Sequence, residues 1–352
     1  MLPTNQPPPP PAYYFHPPIP PALAAKKAIQ RVANLTGAAL LSFQLVGAVI
    51  LLVPLTFIDA FERMDMSFLV TLACNGLTGF IVLYCIFSAL MKPLNCRDAV
   101  GRSFGKPIDG GLVVCALLIG FGWALCSDQL TNGFLWLLEN FFHVPTDSLM
   151  PDILPKTYDG PSIAMLVVQI AVSPALLEEF AFRGVMLQSL RRYGDKFAIF
   201  ASALVFGVFH GNVVQAPFAF LLGLVLGWLT VATGSVWTAV LIHFANNFNS
   251  VVMTVYQDRA GEEAALQAYY IELFVALALG AIALVIFLSS DKRKKLAPVP
   301  DWVPKKGRAR DFFTAPGMLI LLILLAGSML LTMFLPQIYE FLGIEAGEAL
   351  PL

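Results

Sequence analysis

Residues Ala175–Gly184 read ALLEEFAFRG, two adjacent glutamates and an arginine inside an apolar run that extends from 162 to 190. What three charges mean there depends on what surrounds the run. The chain has 352 residues, 58% hydrophobic and only 13% charged, with a mean hydropathy of +0.75. Soluble domains carry about 25% charged residues. Nearly uncharged runs recur near 35–58, 67–91, 110–127, 162–190, 197–211, 217–233, 236–254, 270–289 and 315–335. The pattern predicts an all-α, multi-pass transmembrane helical bundle of about eight to nine membrane helices. Pro174 is expected to kink the fourth run, and the fifth is short enough to stop below the far surface.

The flanks set the organisation. Residues 1–25 form a Pro-rich tail (QPPPPPAYYFHPPIPP) without the apolar core of a signal peptide, so it is expected to be disordered. Residues 26–352 are then one membrane domain. With the N-terminus cytoplasmic, only Arg63, Lys156 and Arg259 fall outside, and the remaining 19 of 22 Lys and Arg fall inside. That asymmetry fixes the orientation by the positive-inside rule, and it puts the acidic IEAGEALPL end outside. The basic runs DKRKK and KKGRAR read as an inner-face anchor. Five cysteines, at 74, 85, 96, 115 and 126, show no paired metal spacing and are expected to be mostly small core residues. The lipid bilayer is the expected surroundings, and no nucleic-acid partner is expected.

In this setting a charge near the bilayer centre costs about 2.5–3.5 kcal/mol. Glu179 and Arg183 are four residues apart and can pair on one helix face. Glu178 points about 100° away and has Phe182 at its own i+4 position, so it is left free. His16 and His143 lie outside the spans and are expected to be incidental. His210 ends FGVFH, and His243 begins HFANN with Asn247 one turn on. Glu178 lies ~20 Å along its helix from Arg191, and His210 ~21 Å from Lys196. His243 and Asn247 lie ~14 Å and ~20 Å from Gly234. Four polar side chains from three helices can thus meet at similar depth.

A carboxylate with an imidazole can activate water, while a second imidazole and an amide stabilise an oxyanion. Glu178, His210 and His243 could equally be the ligands of a catalytic divalent metal such as zinc, with an open fourth position. Both routes are hydrolytic. No GxSxG or HExxH is present. The pair Gly223 and Gly227 forms a GxxxG, read as close helix packing.

The set EEFAFR, FGVFH and HFANN, in this order on successive apolar spans, resembles the CPBP family of intramembrane proteases (CaaX proteases and bacteriocin-processing enzymes, or the type II CaaX prenyl endopeptidase or Abi family). The resemblance covers about residues 160–255. It implies that Glu178 and His210 activate the attacking water and that His243 and Asn247 support the oxyanion. Glu179 and Arg183 would hold the helices, with Phe206 packed beside His210. It also implies an endopeptidase acting on a membrane protein or lipidated peptide, in a plasma membrane and of bacterial type. The rival readings are a non-catalytic scaffold or bacteriocin-immunity protein of the same fold, and a proton-coupled transporter.

Overall fold

The computed structural model describes residues 21–55, 82–144, 146 and 158–342. Among them all the regular structure is helical, without a strand. Its helices are α1 (Pro21–Leu55), α2 (Tyr84–Leu90), α3 (Arg97–Ser103), α4 (Gly110–Phe142), α5 (Gly160–Tyr193), α6 (Asp195–Phe209), α7 (Gln215–Thr233), α8 (Val236–Ala260), α9 (Glu262–Ser289), α10 (Arg308–Phe313) and α11 (Pro316–Leu342).

Five of these are long and apolar enough to cross a membrane: α4, α5, α7, α9 and the stretch Pro316–Phe334 of α11. The expected count of eight to nine is not reached among the described residues, for three reasons. Helix α6 has 15 residues, ~22 Å of axis against a hydrocarbon core of ~30 Å. Helix α8 is long, but its HFANNFNS stretch makes it polar. The runs predicted at 35–58 and 67–91 extend beyond the described residues. The tail assigned to 1–25 ends earlier than expected, since α1 begins at Pro21; proline is favoured in a first helical turn. The rest of that tail, the IEAGEALPL end and Cys74 lie outside the described residues. Of the other cysteines only Cys96 is buried, and Cys85 is exposed.

Helix α5 is the structural centre. It is capped by Asp159, whose side chain accepts the Ser162 amide at 2.8 Å. The helix then alternates between α and π winding: α over Gly160–Leu166, π over Val167–Val172, α over Ser173–Glu179 and π over Phe180–Met186. At Pro174, where a kink is expected, the structure shows a widened turn: the first π segment ends at Val172, two residues before the proline. Wide turns of this kind are often found at functional sites. The helix ends in a tight corner at Gly194, where φ is +108°, a value side-chain-bearing residues avoid. Asp195 secures that corner by accepting from Arg191 at 2.8 Å and from the Ala297 amide at 2.7 Å.

Around α5, helix α6 packs along α7, α4 along α9, and α1 along α11, while α8 lies against the first π segment and the turn after it. Phe182, Phe206, Phe87 and Phe312 are fully buried in the core beside α5 and α6. A separate cavity of about 330 Å³ lies between α4, α7 and α9. Its walls are almost wholly carbon, Trp123, Trp228 and Leu277 among them, and none of the charged residues of α5 reaches it.

Candidate active site

The charged turn of α5 is enclosed. Arg183 Nη1 donates to Glu179 Oε1 at 2.8 Å, and both side chains are 0% exposed, so the ion pair expected from the i,i+4 spacing forms fully out of solvent. The same oxygen is bonded to His243 Nδ1 of α8 at 2.9 Å. A carboxylate only accepts, so Nδ1 carries the proton, and in neutral His243 the Nε2 lone pair faces away from Glu179. That Nε2 lies 4.0 Å from Glu178 Oε2. Glu178, the carboxylate without a helical partner, therefore faces His243 across a gap too long for a direct hydrogen bond.

Phe206 is the hub of the remaining contacts. The Arg183 guanidinium lies over its ring, 4.2 Å from the centroid. The rings of His210 and His243 both meet it edge-on, at 5.0 and 6.0 Å between centroids. His210 follows the last residue of α6, and its Nδ1 donates to the Phe206 carbonyl at 2.9 Å. A carbonyl can only accept, so this bond also fixes the tautomer and leaves Nε2 of neutral His210 unprotonated. Both histidines are therefore oriented through Nδ1 and present Nε2.

Asn247 is brought to the same side of α5, but to a different group. Its Nδ2 donates to the Ile170 carbonyl at 2.8 Å, and its Oδ1 accepts from Asn246 at 3.0 Å. The structure thus joins Glu178, Glu179, Arg183, Phe206 and His243 in one cluster. It connects His210 through Phe206, and Asn247 through the backbone of α5.

Two contributors were not legible as site residues. A Cβ on Gly223 would come within 3.1 Å of Arg183 Nη2 and 3.2 Å of Ala203, so this glycine of the GxxxG makes room for the buried guanidinium as well as for α6. Gln44 of α1 donates to the Phe209 carbonyl at 3.0 Å, one residue before His210. A lone glutamine in an apolar run gave only its polarity as a signal.

Four atoms of the cluster are buried without a hydrogen-bond partner: Glu178 Oε2, Glu179 Oε2, Arg183 Nε and Arg183 Nη2. Two acceptors and two donors in one enclosed place make an interior suited to a small polar molecule. Among the described residues no three His, Cys, Asp or Glu side chains group closely enough in this structure to hold an ion.

Residues 160–249 match the family model described as type II CAAX prenyl endopeptidase Rce1-like. No curated protein and no solved structure matches the chain. The matched segment holds Glu178, Glu179, Arg183, Phe206, His210, His243 and Asn247, and over this quarter of the chain the protein is similar to the type II CAAX prenyl endopeptidase family.

Proposed function

We propose that this protein is an intramembrane endopeptidase that hydrolyses a peptide bond in a membrane-associated or lipidated protein or peptide. The observation that carries the reading is the 4.0 Å gap between Glu178 Oε2 and His243 Nε2. A water molecule seated there can direct one O–H at each acceptor and turn its lone pair towards a scissile carbonyl. As the water oxygen bonds to the carbonyl carbon, its proton passes to Glu178 and the carbonyl electron pair moves onto oxygen. When that pair returns and the C–N bond breaks, Glu178 gives the proton to the leaving amine. Glu179 holds the Nδ1 proton of His243 and so keeps Nε2 aimed at the water. His210, half-buried at the end of α6, is the imidazole left to donate to the oxyanion when protonated.

This division differs from the one the resemblance implies. It pairs Glu178 with His243 because that is the contact the fold makes. No step passes through a metal, in keeping with the ungrouped donors. The charge asymmetry supports an orientation with the N-terminus on the cytoplasmic side; a plasma membrane and a bacterial origin are part of the proposal.

The test compares protein termini of membranes from cells carrying the wild type or Glu178→Ala at equal expression. Loss of a general base is expected to slow cleavage about 10²–10⁴-fold, so a new terminus should vanish in the mutant. Equal termini in both, with a deletion phenotype that Glu178→Ala rescues, would establish the scaffold instead. Loss of cleavage on chelation, restored by zinc alone, would overturn the metal-free route.

A further inference from the structure

Pro174 stands inside α5 and has no N–H. In a regular helix that group would bond the carbonyl four residues back, Ile170, and the proline ring would also crowd the same oxygen. The chain responds in two ways. It widens locally, so that the Ser173 amide bonds Val168, five residues back, at the end of the π segment. The Ile170 carbonyl is met from another helix, by Asn247 Nδ2 at 2.8 Å. The amide is held in the correct sense by Asn246, which donates to Asn247 Oδ1 at 3.0 Å.

The register of this tie is informative. Glu178 is one turn beyond Pro174 on α5, and Asn247 is one turn beyond His243 on α8. Helices α5 and α8 are therefore joined twice, once by Glu179 to His243 and once by Asn247 to Ile170. Two directional ties, one turn apart on α8 and nine residues apart on α5, fix both the rotation and the sliding of α8 against α5, and the 4.0 Å separation of Glu178 and His243 depends on both. A single tie would leave α8 free to pivot.

We infer that Asn247 is a positioning residue: it caps the carbonyl that Pro174 deprives of its partner, and so sets His243 in register with Glu178. The inference rests on the protease reading above. One of the two Nδ2 hydrogens of Asn247 is committed to the backbone of α5, so this tie, and not only the oxyanion, accounts for an amide at this position.

The experiment is a double-mutant cycle on the full-length protein in detergent micelles, with Asn247→Ala made alone and on Pro174→Ala, which returns an N–H to position 174. Two readouts are taken: kcat and KM on a farnesylated CaaX peptide, and the thermal midpoint. In the wild-type background Asn247→Ala is expected to lower kcat about 100-fold with KM unchanged, and the midpoint by about 2–4 °C. On Pro174→Ala both losses should shrink, to under about threefold and under about 1 °C, because the restored N–H replaces the amide. An equal kcat loss in both backgrounds would assign Asn247 to the substrate and overturn the inference. Coupled midpoints with unchanged kcat would overturn it too, by making the tie structural only. If Pro174→Ala is itself inactive, the midpoints decide, and uncoupled values overturn the inference. A wild type that never cleaves the peptide counts against this substrate class, and the thermal cycle still judges the tie.

Discussion

Helix pairs α4–α9 and α5–α8 both bring two long helices into contact, by opposite means. Between α4 and α9 the backbones nearly touch. A Cβ on Gly122 would lie 2.6 Å from the Ala276 carbonyl, and one on Gly280 would lie 3.0 Å from the Leu118 carbonyl. The main polar contact of that pair is at one end, where Tyr269 accepts from Gln129 at 2.6 Å and donates to Asp128 at 2.5 Å. Between α5 and α8 the ties are a buried charge network and an amide on a carbonyl. Apolar helices in lipid gain little from hydrophobic burial against each other, so close packing and hydrogen bonds must hold them. Packing tolerates small rotations. Directional bonds do not, and a reaction needs two groups held to fractions of an ångström.

The strongest way to break this contrast is at Arg183. Arg183→Met leaves Glu179 as a buried charge whose remaining partner is His243 Nδ1, and breaking such a pair costs about 3–5 kcal/mol. Thermal unfolding in detergent should show that loss, and peptide cleavage should disappear with it. Adding Glu179→Leu should return much of the stability, since an apolar pair of similar volume is often tolerated in place of a buried ion pair. Cleavage should stay absent, because His243 Nδ1 has lost its acceptor. Recovery of both together would mean that the network only holds the fold.

A smaller effect sharpens the comparison by reversing clash and consequence. Gly122→Ala forces the tighter contact, against backbone, and should cost about 1–3 kcal/mol while leaving kcat of the folded protein unchanged. Gly223→Ala makes a milder contact, 3.1 Å from Arg183 Nη2, yet should lower kcat by displacing the guanidinium from Phe206. Measured side by side, stability should follow the clash and turnover should follow the location. Equal kcat in the two variants would remove Gly223 from the site.

Much of this site could be read from spacing, and what could not has a physical reason. The Glu179–Arg183 pair follows from helix periodicity, and the irregularity of α5 follows from Pro174. Both are local rules that need no fold. Gly223 was legible only as a packing residue, because the guanidinium it accommodates comes from a helix about forty positions away in sequence. The partner of Asn247 is a main-chain carbonyl, a group every residue possesses and no side-chain motif displays. Only the absence of an N–H at Pro174, counted four residues back, marks Ile170 as the carbonyl needing a donor. The expected number of membrane crossings is not reached among the described residues for a related reason. Helix α6 is too short and α8 too polar to qualify as a span by length and apolarity.

The smallest effect lies where α4 begins. Asp109 caps α4 by accepting the Leu112 amide at 3.2 Å, and it also accepts from Lys292 at 2.5 Å. Lys292 first, and the Leu112 amide second, hold the Asp109 carboxyl below the usual carboxylate range. A carboxyl depressed in the folded state adds stability above its unfolded value, near 3.8, and loses it as pH falls through the lower folded value. Asp109→Asn keeps the cap and removes the charge, so it isolates the lysine contribution. The thermal midpoints of wild type and variant should differ slightly at pH 7 and converge as pH falls below about 4. The difference should also shrink in high salt, because the pair is open to solvent. A gap that persists at low pH would assign the effect to the cap. In that case the α4–α9 pair would owe nothing to charge at this end, and the contrast with α5–α8 would be sharper still.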